Sequence, residues 1–188
     1  MTDIESMYRK VDGNILIEIK LSSVMQLFNS FDPAPFHEKE LDPAAEHYII
    51  ETVKDFPKKT RFRIIIYLPP DIAATERSQK IPQAIRNHFA YKVLVQDRKF
   101  RQRFAHGRFA LLIGLTFLAI ALVARQEVSH MENLLFAQIF ADALLIIGWA
   151  AMWEPITVLL YELWPIIQLK HTFEKISTME IEVLARPG

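Results

Sequence analysis

Two apolar segments joined by a short polar stretch constrain this chain more than anything else in it. Phe109–Ala124 holds sixteen residues with no formal charge, and Leu134–Trp153 holds twenty with a single charge, Asp142. Between them, Arg125–Asn133 carries Arg125, Glu127, His130 and Glu132. Each arm approaches the length a helix needs to cross a hydrocarbon core of about 30 Å. The expectation is a transmembrane hairpin of two helices, and the rest of the chain must fold around it.

The second arm is the marginal one. Its nine Leu, Ile and Phe residues favour insertion by roughly 0.3 to 0.6 kcal/mol each. A carboxylate at mid-bilayer costs roughly 2.5 to 3.5 kcal/mol, so the balance is slightly favourable at best and leans on the first arm. Asp142 is therefore the sharpest signal in the hairpin. An ionisable residue at that depth faces a bundle interior, a cavity or a partner, and the first arm offers no cation. Three readings follow: a contact with another subunit, a proton or cation site, or a carboxyl satisfied locally. The local form is hydrogen-bonded to Thr116 or Gln138, or lies nearer the surface than mid-bilayer.

Basic residues flank the hairpin unevenly. Lys92, Arg98, Lys99, Arg101, Arg103 and Arg108 precede it, Lys170 and Lys175 follow it, and the stretch between the arms holds only Arg125. That bias predicts cytoplasmic termini and an external Arg125 loop. Over the whole chain 22 basic residues balance 22 acidic ones, so no global field favours nucleic acid. Arg98, Lys99, Arg101, Arg103 and Arg108 are interleaved with Phe100, Phe104 and Phe109 and abut a membrane arm, which reads as contact with anionic lipid headgroups. Met1–Gly13 has no apolar stretch, so no cleavable signal peptide is expected and the first arm directs insertion.

Outside the hairpin, three stretches alternate with the period of a half-buried strand: Asn14–Leu21, Arg61–Leu68 and Thr178–Leu184. A lone C-terminal strand is unstable. Glu180 and Glu182 therefore pair across strands with Lys20, Arg61 or Arg63, and the C-terminus returns to the N-terminal sheet. Asp42-Pro43 opens a helix, with Asp as N-cap and Pro at the first helical position. The expected fold is a cytoplasmic α/β domain, a sheet of about three strands plus helices, interrupted by the hairpin. Residues 1–75 form its α/β part, 76–108 an amphipathic basic helix, and 109–154 the hairpin. An interfacial helix over 155–176 carries Trp149, Trp153, Tyr161 and Trp164 around its start, and 177–188 is the returning strand.

The chain contains no cysteine and only five glycines. Thiolate chemistry and sulfur-based zinc sites are excluded, and no phosphate-cradling loop or nucleophile motif is present. Asp32, His37, Glu38, Glu40, Asp42, Glu46 and His47 offer oxygen and nitrogen ligands without a recognised metal spacing. No metal or cofactor is expected. The loop they occupy reads instead as an aromatic-anchored element that docks on the sheet or on a partner chain, turned by Asp32 and the prolines beside it and pinned by Phe28, Phe31 and Phe36.

Leu27–Ile50 and the run from Gly148-Trp149 to Trp164-Pro165 resemble a group of small bacterial inner-membrane proteins. That resemblance implies location and a two-helix anchor, and it brings no activity with it. The expected function is a non-catalytic subunit or scaffold of a membrane complex, forming homo-oligomers or joining other subunits. The alternatives are an oligomeric channel or transporter for ions or protons built around Asp142, and a membrane-surface enzyme using the Asp32–His47 loop.

Overall fold

A computed structural model describes residues 7–36, 39–129 and 135–186. It divides into two compact units, Met1–Val95 with Lys170–Gly188, and Gln96–Leu169.

The first unit is built on a four-stranded mixed sheet. β1 (Lys10–Val11) turns through Asp12 and Gly13, at φ 52° and 75°, into β2 (Asn14–Lys20). Positive φ at both turn positions is what a two-residue hairpin requires, and Asp-Gly meets it cheaply. β3 (Arg61–Leu68) runs parallel to β2, and β4 (Glu180–Ala185) runs parallel to β3, giving the order β1-β2-β3-β4. The C-terminal segment thus completes the sheet as expected, while β1 is an addition too short to show alternation.

The register Ile17↔Ile64↔Ile181 stacks buried isoleucines across three strands. On the opposite face, Leu16, Ile65 and Tyr67 form a smaller cluster with Val11 against it, so β3 is buried on both sides over most of its length. Arg63 reaches across to β4, with Nη2 2.8 Å from Glu180 and Nη1 3.3 Å from Glu182. The other expected partners are out of register. Lys20 lies on β2, and Arg61 precedes the point where β4 begins to pair.

Parallel neighbours need crossovers. β2 reaches β3 through α1 (Pro43–Lys54), whose N-cap Asp42 accepts the amide of Ala44 at 2.9 Å. β3 reaches β4 only after the short helices α2 (Pro70–Ala73) and α3 (Glu76–Gln79), the long α4 (Ile81–Ser129) and the whole of the second unit. Ile81, Ile85 and Phe89 of α4 are buried, as are Phe173 and Ile176 near the end of the last helix, and the Phe89 and Phe173 rings lie 5.9 Å apart.

The second unit is helical. α4 runs unbroken through Gly107, and it also passes the position where the sequence suggests a loop, continuing through Arg125 to Ser129. The change at Arg125 is one of polarity only: Arg, Gln and Glu all sustain a helix. His130–Leu134 lie outside the described residues. α5 (Leu135–Ala151) is followed by α6 (Trp153–Thr157), a π-helical turn (Val158–Glu162) and α7 (Leu163–Ser177). The two irregularities match the prolines. Pro155 and Pro165 lack an amide donor and crowd the carbonyls of Ala151 and Tyr161, which end α5 and sit in the π turn respectively. Two helical stretches, Glu76–Val128 and Gln138–Ser177, are long and apolar enough to cross a membrane.

Ile64 is fully buried at the centre of the sheet, so Ile64→Ala should lower the unfolding free energy of this unit by about 2–5 kcal/mol. All three tryptophans lie in the other unit, so far-UV circular dichroism under denaturant is the readout. A loss well under 1 kcal/mol would show that β3 is not the core strand.

Candidate functional site

In the helical unit, small residues set how closely the chain packs on itself. A Cβ on Gly107 would lie 2.8 Å from Val158 Cγ1, and one on Gly114 3.0 Å from the Ala151 carbonyl oxygen. One on Gly148 would lie 3.2 Å from Leu118 Cα and 3.3 Å from Ala121 Cβ. Gly107, Gly114 and Ala121 recur every seven residues, as a seam along one side of a helix requires, and all three are buried. The contacts run in opposite directions along the two chain segments, so the helices are antiparallel. Large side chains point the other way: Phe109, Leu112, Ile120, Val123, Ile146 and Trp149 are exposed.

Asp142 has a partner that the apolar arms do not reveal. Arg125 Nε lies 3.7 Å from Asp142 Oδ1, and the two side chains are 56% and 66% exposed. Extension of α4 through Arg125 is what brings the guanidinium alongside α5. The two local partners expected from sequence are not used in that way: the Thr116 hydroxyl donates to the Leu112 carbonyl at 2.8 Å, and Gln138 is exposed.

Arg98, Lys99, Arg101, Arg103 and Arg108 are all exposed. Arg103 Nη1 sits 3.2 Å from Glu162 Oε2, and His106 Nε2 lies 3.4 Å from Glu154 Oε1. The phenylalanines between the basic residues stack on each other, Phe100 on Phe104 at 5.9 Å.

In the sheet unit, the loop between Leu27 and Asp42 is tied at its base by two backbone bonds, Asn29 N to Glu40 O at 2.8 Å and Asp42 N to Leu27 O at 2.9 Å. Phe28 is buried and meets Phe36 edge-on at 4.7 Å. Asp32 accepts the amides of Glu40 at 2.6 Å and Ala34 at 2.9 Å. These donors, the Glu40 amide above all, hold its carboxyl below the usual carboxylate range. Phe31 differs from its neighbours: it is 93% exposed and pins nothing. Of the pinning trio expected from sequence, two therefore serve as anchors and the third faces solvent. His37 and Glu38 lie outside the described residues.

Beneath the loop is a polar cluster that sequence reasoning missed. His88 is buried, and its Nδ1 accepts the Leu41 amide at 3.3 Å. That leaves the proton on Nε2, which donates to Glu46 Oε2 at 3.1 Å. Lys92 Nζ lies 3.0 Å from the same oxygen. Hydrogen bonding from His88 first, and then Lys92, pulls the Glu46 pKa below its ordinary 4.5 against the opposing effect of burial. The available signal is His88 beside Phe89 in the apolar stripe of α4, a position where a polar ring needs partners. A cavity of about 630 Å³ opens above this cluster, between the loop and the Asn87–Tyr91 turn of α4.

Both nitrogens of His88 are committed to fixing the loop and α1 to α4, so the cluster acts as a clasp. Among the described residues, no three His, Cys, Asp or Glu side chains come together as a metal ion requires. No protein-family model, curated protein or solved structure matches the chain.

Because the folded pKa of Glu46 is depressed, its stabilising contribution is fully present above the ordinary value near 4.5 and is lost as pH falls toward the folded value. Glu46→Gln should therefore destabilise the protein at pH 7 and lose that difference progressively below about pH 4.5. Parallel acid-unfolding curves for the two proteins, separated equally at every pH, would show that the clasp is not charged.

Proposed function

We propose that the chain is a non-catalytic integral membrane protein, an assembly subunit or scaffold whose α/β unit is held at a bacterial inner membrane with both termini in the cytoplasm. One observation carries this reading. The helical unit exposes large apolar side chains along both helices of its hairpin, and only 17% of the most apolar window of either long helix is buried. Leaving such side chains in water forgoes up to roughly 1.5–3 kcal/mol each, and contiguous exposed apolar surface marks a protein or membrane contact. Hydrocarbon removes that cost.

The basic residues from Arg98 to Arg108 support the orientation, since an exposed cationic run beside an apolar belt suits the anionic cytoplasmic leaflet. Partners are other subunits or further copies of this chain, and the exposed Phe31 on its pinned loop is the contact we assign to them. Conduction through an unpaired Asp142 is a weaker reading, because Arg125 already lies against that carboxylate. An enzyme acting through the Asp32–His47 loop is weaker too: Asp32 and Glu46 are engaged in structural hydrogen bonds, and His47 is exposed.

The reading predicts that the expressed chain stays in the membrane pellet after washing with sodium carbonate at pH 11 and is released only by detergent. Release by carbonate alone would sink it. A folded monomer in mild detergent that captures no second copy and no other subunit at any concentration would leave the anchor but remove the scaffold.

A further inference from the structure

Resting on the membrane reading above, we infer that the Arg125–Asp142 pair marks the outer limit of the hydrocarbon core, so that the first two turns of α5 lie outside it, in the headgroup layer. Asp142 then sits at a boundary, not at mid-bilayer.

Two measures lead here. The first is exposure. Arg125 and Asp142 face outward from a two-helix hairpin, each more than half exposed. Were the core to extend to the ends of the two helices at Ser129 and Leu135, this pair would stand against lipid chains with nothing covering it, where exposed charge is strongly disfavoured. Headgroups and water solvate it at no such cost. The second is length. From Arg108, the last of the basic run, to Arg125 there are 17 residues on one continuous helix, or about 26 Å. From Arg103, which pairs with Glu162, the span is about 33 Å. These two distances bracket the roughly 30 Å of a typical core.

The residues beyond the pair suit the headgroup layer. Glu127 is exposed one half-turn past Arg125, and Gln138 is exposed one turn before Asp142. Phe136 and Phe140 are exposed beside Gln138, and aromatic rings are at home where one end of the environment is apolar and the other wet. The surface that fits the bilayer is thus the belt of Phe109–Ala124 on α4 and, on the returning side, the stretch from Ala143 to the level of Val158, which packs at Gly107. It has a basic rim on one side and an ion-paired rim on the other.

The chain has no cysteine, so single cysteines can report depth without background. Gln138→Cys and Ile146→Cys are made separately in the full chain and reconstituted in nanodiscs of phosphatidylethanolamine and phosphatidylglycerol, with an aqueous, membrane-impermeant maleimide reaching both faces. Labelling of Gln138→Cys should be about tenfold faster or more than that of Ile146→Cys, because the core excludes the reagent. Equal, slow labelling at both positions would place the pair inside the hydrocarbon and overturn the inference while leaving the membrane reading intact. Slow labelling at position 138 that becomes fast as protein is diluted in lipid would assign the cover to a second copy and overturn it as well. Fast labelling at both positions would overturn the membrane reading itself, as carbonate release would independently show.

Discussion

The parallel pairing of β4 with β3 is the constraint on which this fold depends. It closes the sheet only after the chain has travelled through residues 69–179 and come back, so everything in that interval must begin and end near the same strand. Loop closure costs grow only slowly with length, about 0.6 kcal/mol per doubling, so entropy alone does not forbid so long a crossover. An antiparallel two-helix excursion meets the geometric requirement directly, because its two ends lie side by side. The close approach at Gly107, Gly114 and Gly148 and the pairing of Arg63 with Glu180 and Glu182 are therefore two halves of one condition. The first brings the chain back, and the second fixes the returning strand.

The features that repeat along the chain are legible in the sequence alone. Alternation locates β2, β3 and the approach to β4, and Asp42-Pro43 locates the start of α1 to the residue. What escapes is whatever depends on a single residue or on a partner far along the chain. β1 is two residues long, and its only signal is the Asp-Gly turn that precedes β2. Helix continuation through Arg125 escapes because a change from apolar to charged residues resembles a break, although backbone hydrogen bonding is indifferent to side-chain polarity where propensity is good. His88 escapes because its partners, Leu41 and Glu46, lie more than forty residues away.

The same distinction applies to the candidate site. The basic run and the Phe-rich loop are visible as composition, but the roles of their members are not. Phe28 and Phe31 are three residues apart and chemically identical, yet one is buried and the other almost wholly exposed. Two hydrogen bonds at Asn29 decide this: its side-chain Oδ1 accepts the Phe31 amide at 3.0 Å while its own amide donates to the Glu40 carbonyl, turning the chain between the two rings. Composition has no access to such a turn.

Small residues decide what the hairpin itself can still bind. In a bilayer, helices associate by close packing of glycine, alanine and serine and by polar contacts, because lipid tails satisfy large apolar side chains as well as another helix does. Gly107, Gly114, Ala121 and Gly148 are already spent on the contact between the two arms of one hairpin. The residues left facing outward are mainly large aliphatic and aromatic ones, which gain little by exchanging lipid for protein. Asp142 is matched by Arg125 within the chain, so the carboxylate does not depend on another subunit for a counter-charge. Under the membrane reading, the hairpin is an anchor complete in itself. In the sheet unit, by contrast, Phe31 stands almost wholly exposed on a loop tied at its base by the Asn29 and Asp42 amides and braced by Asp32 and Phe28.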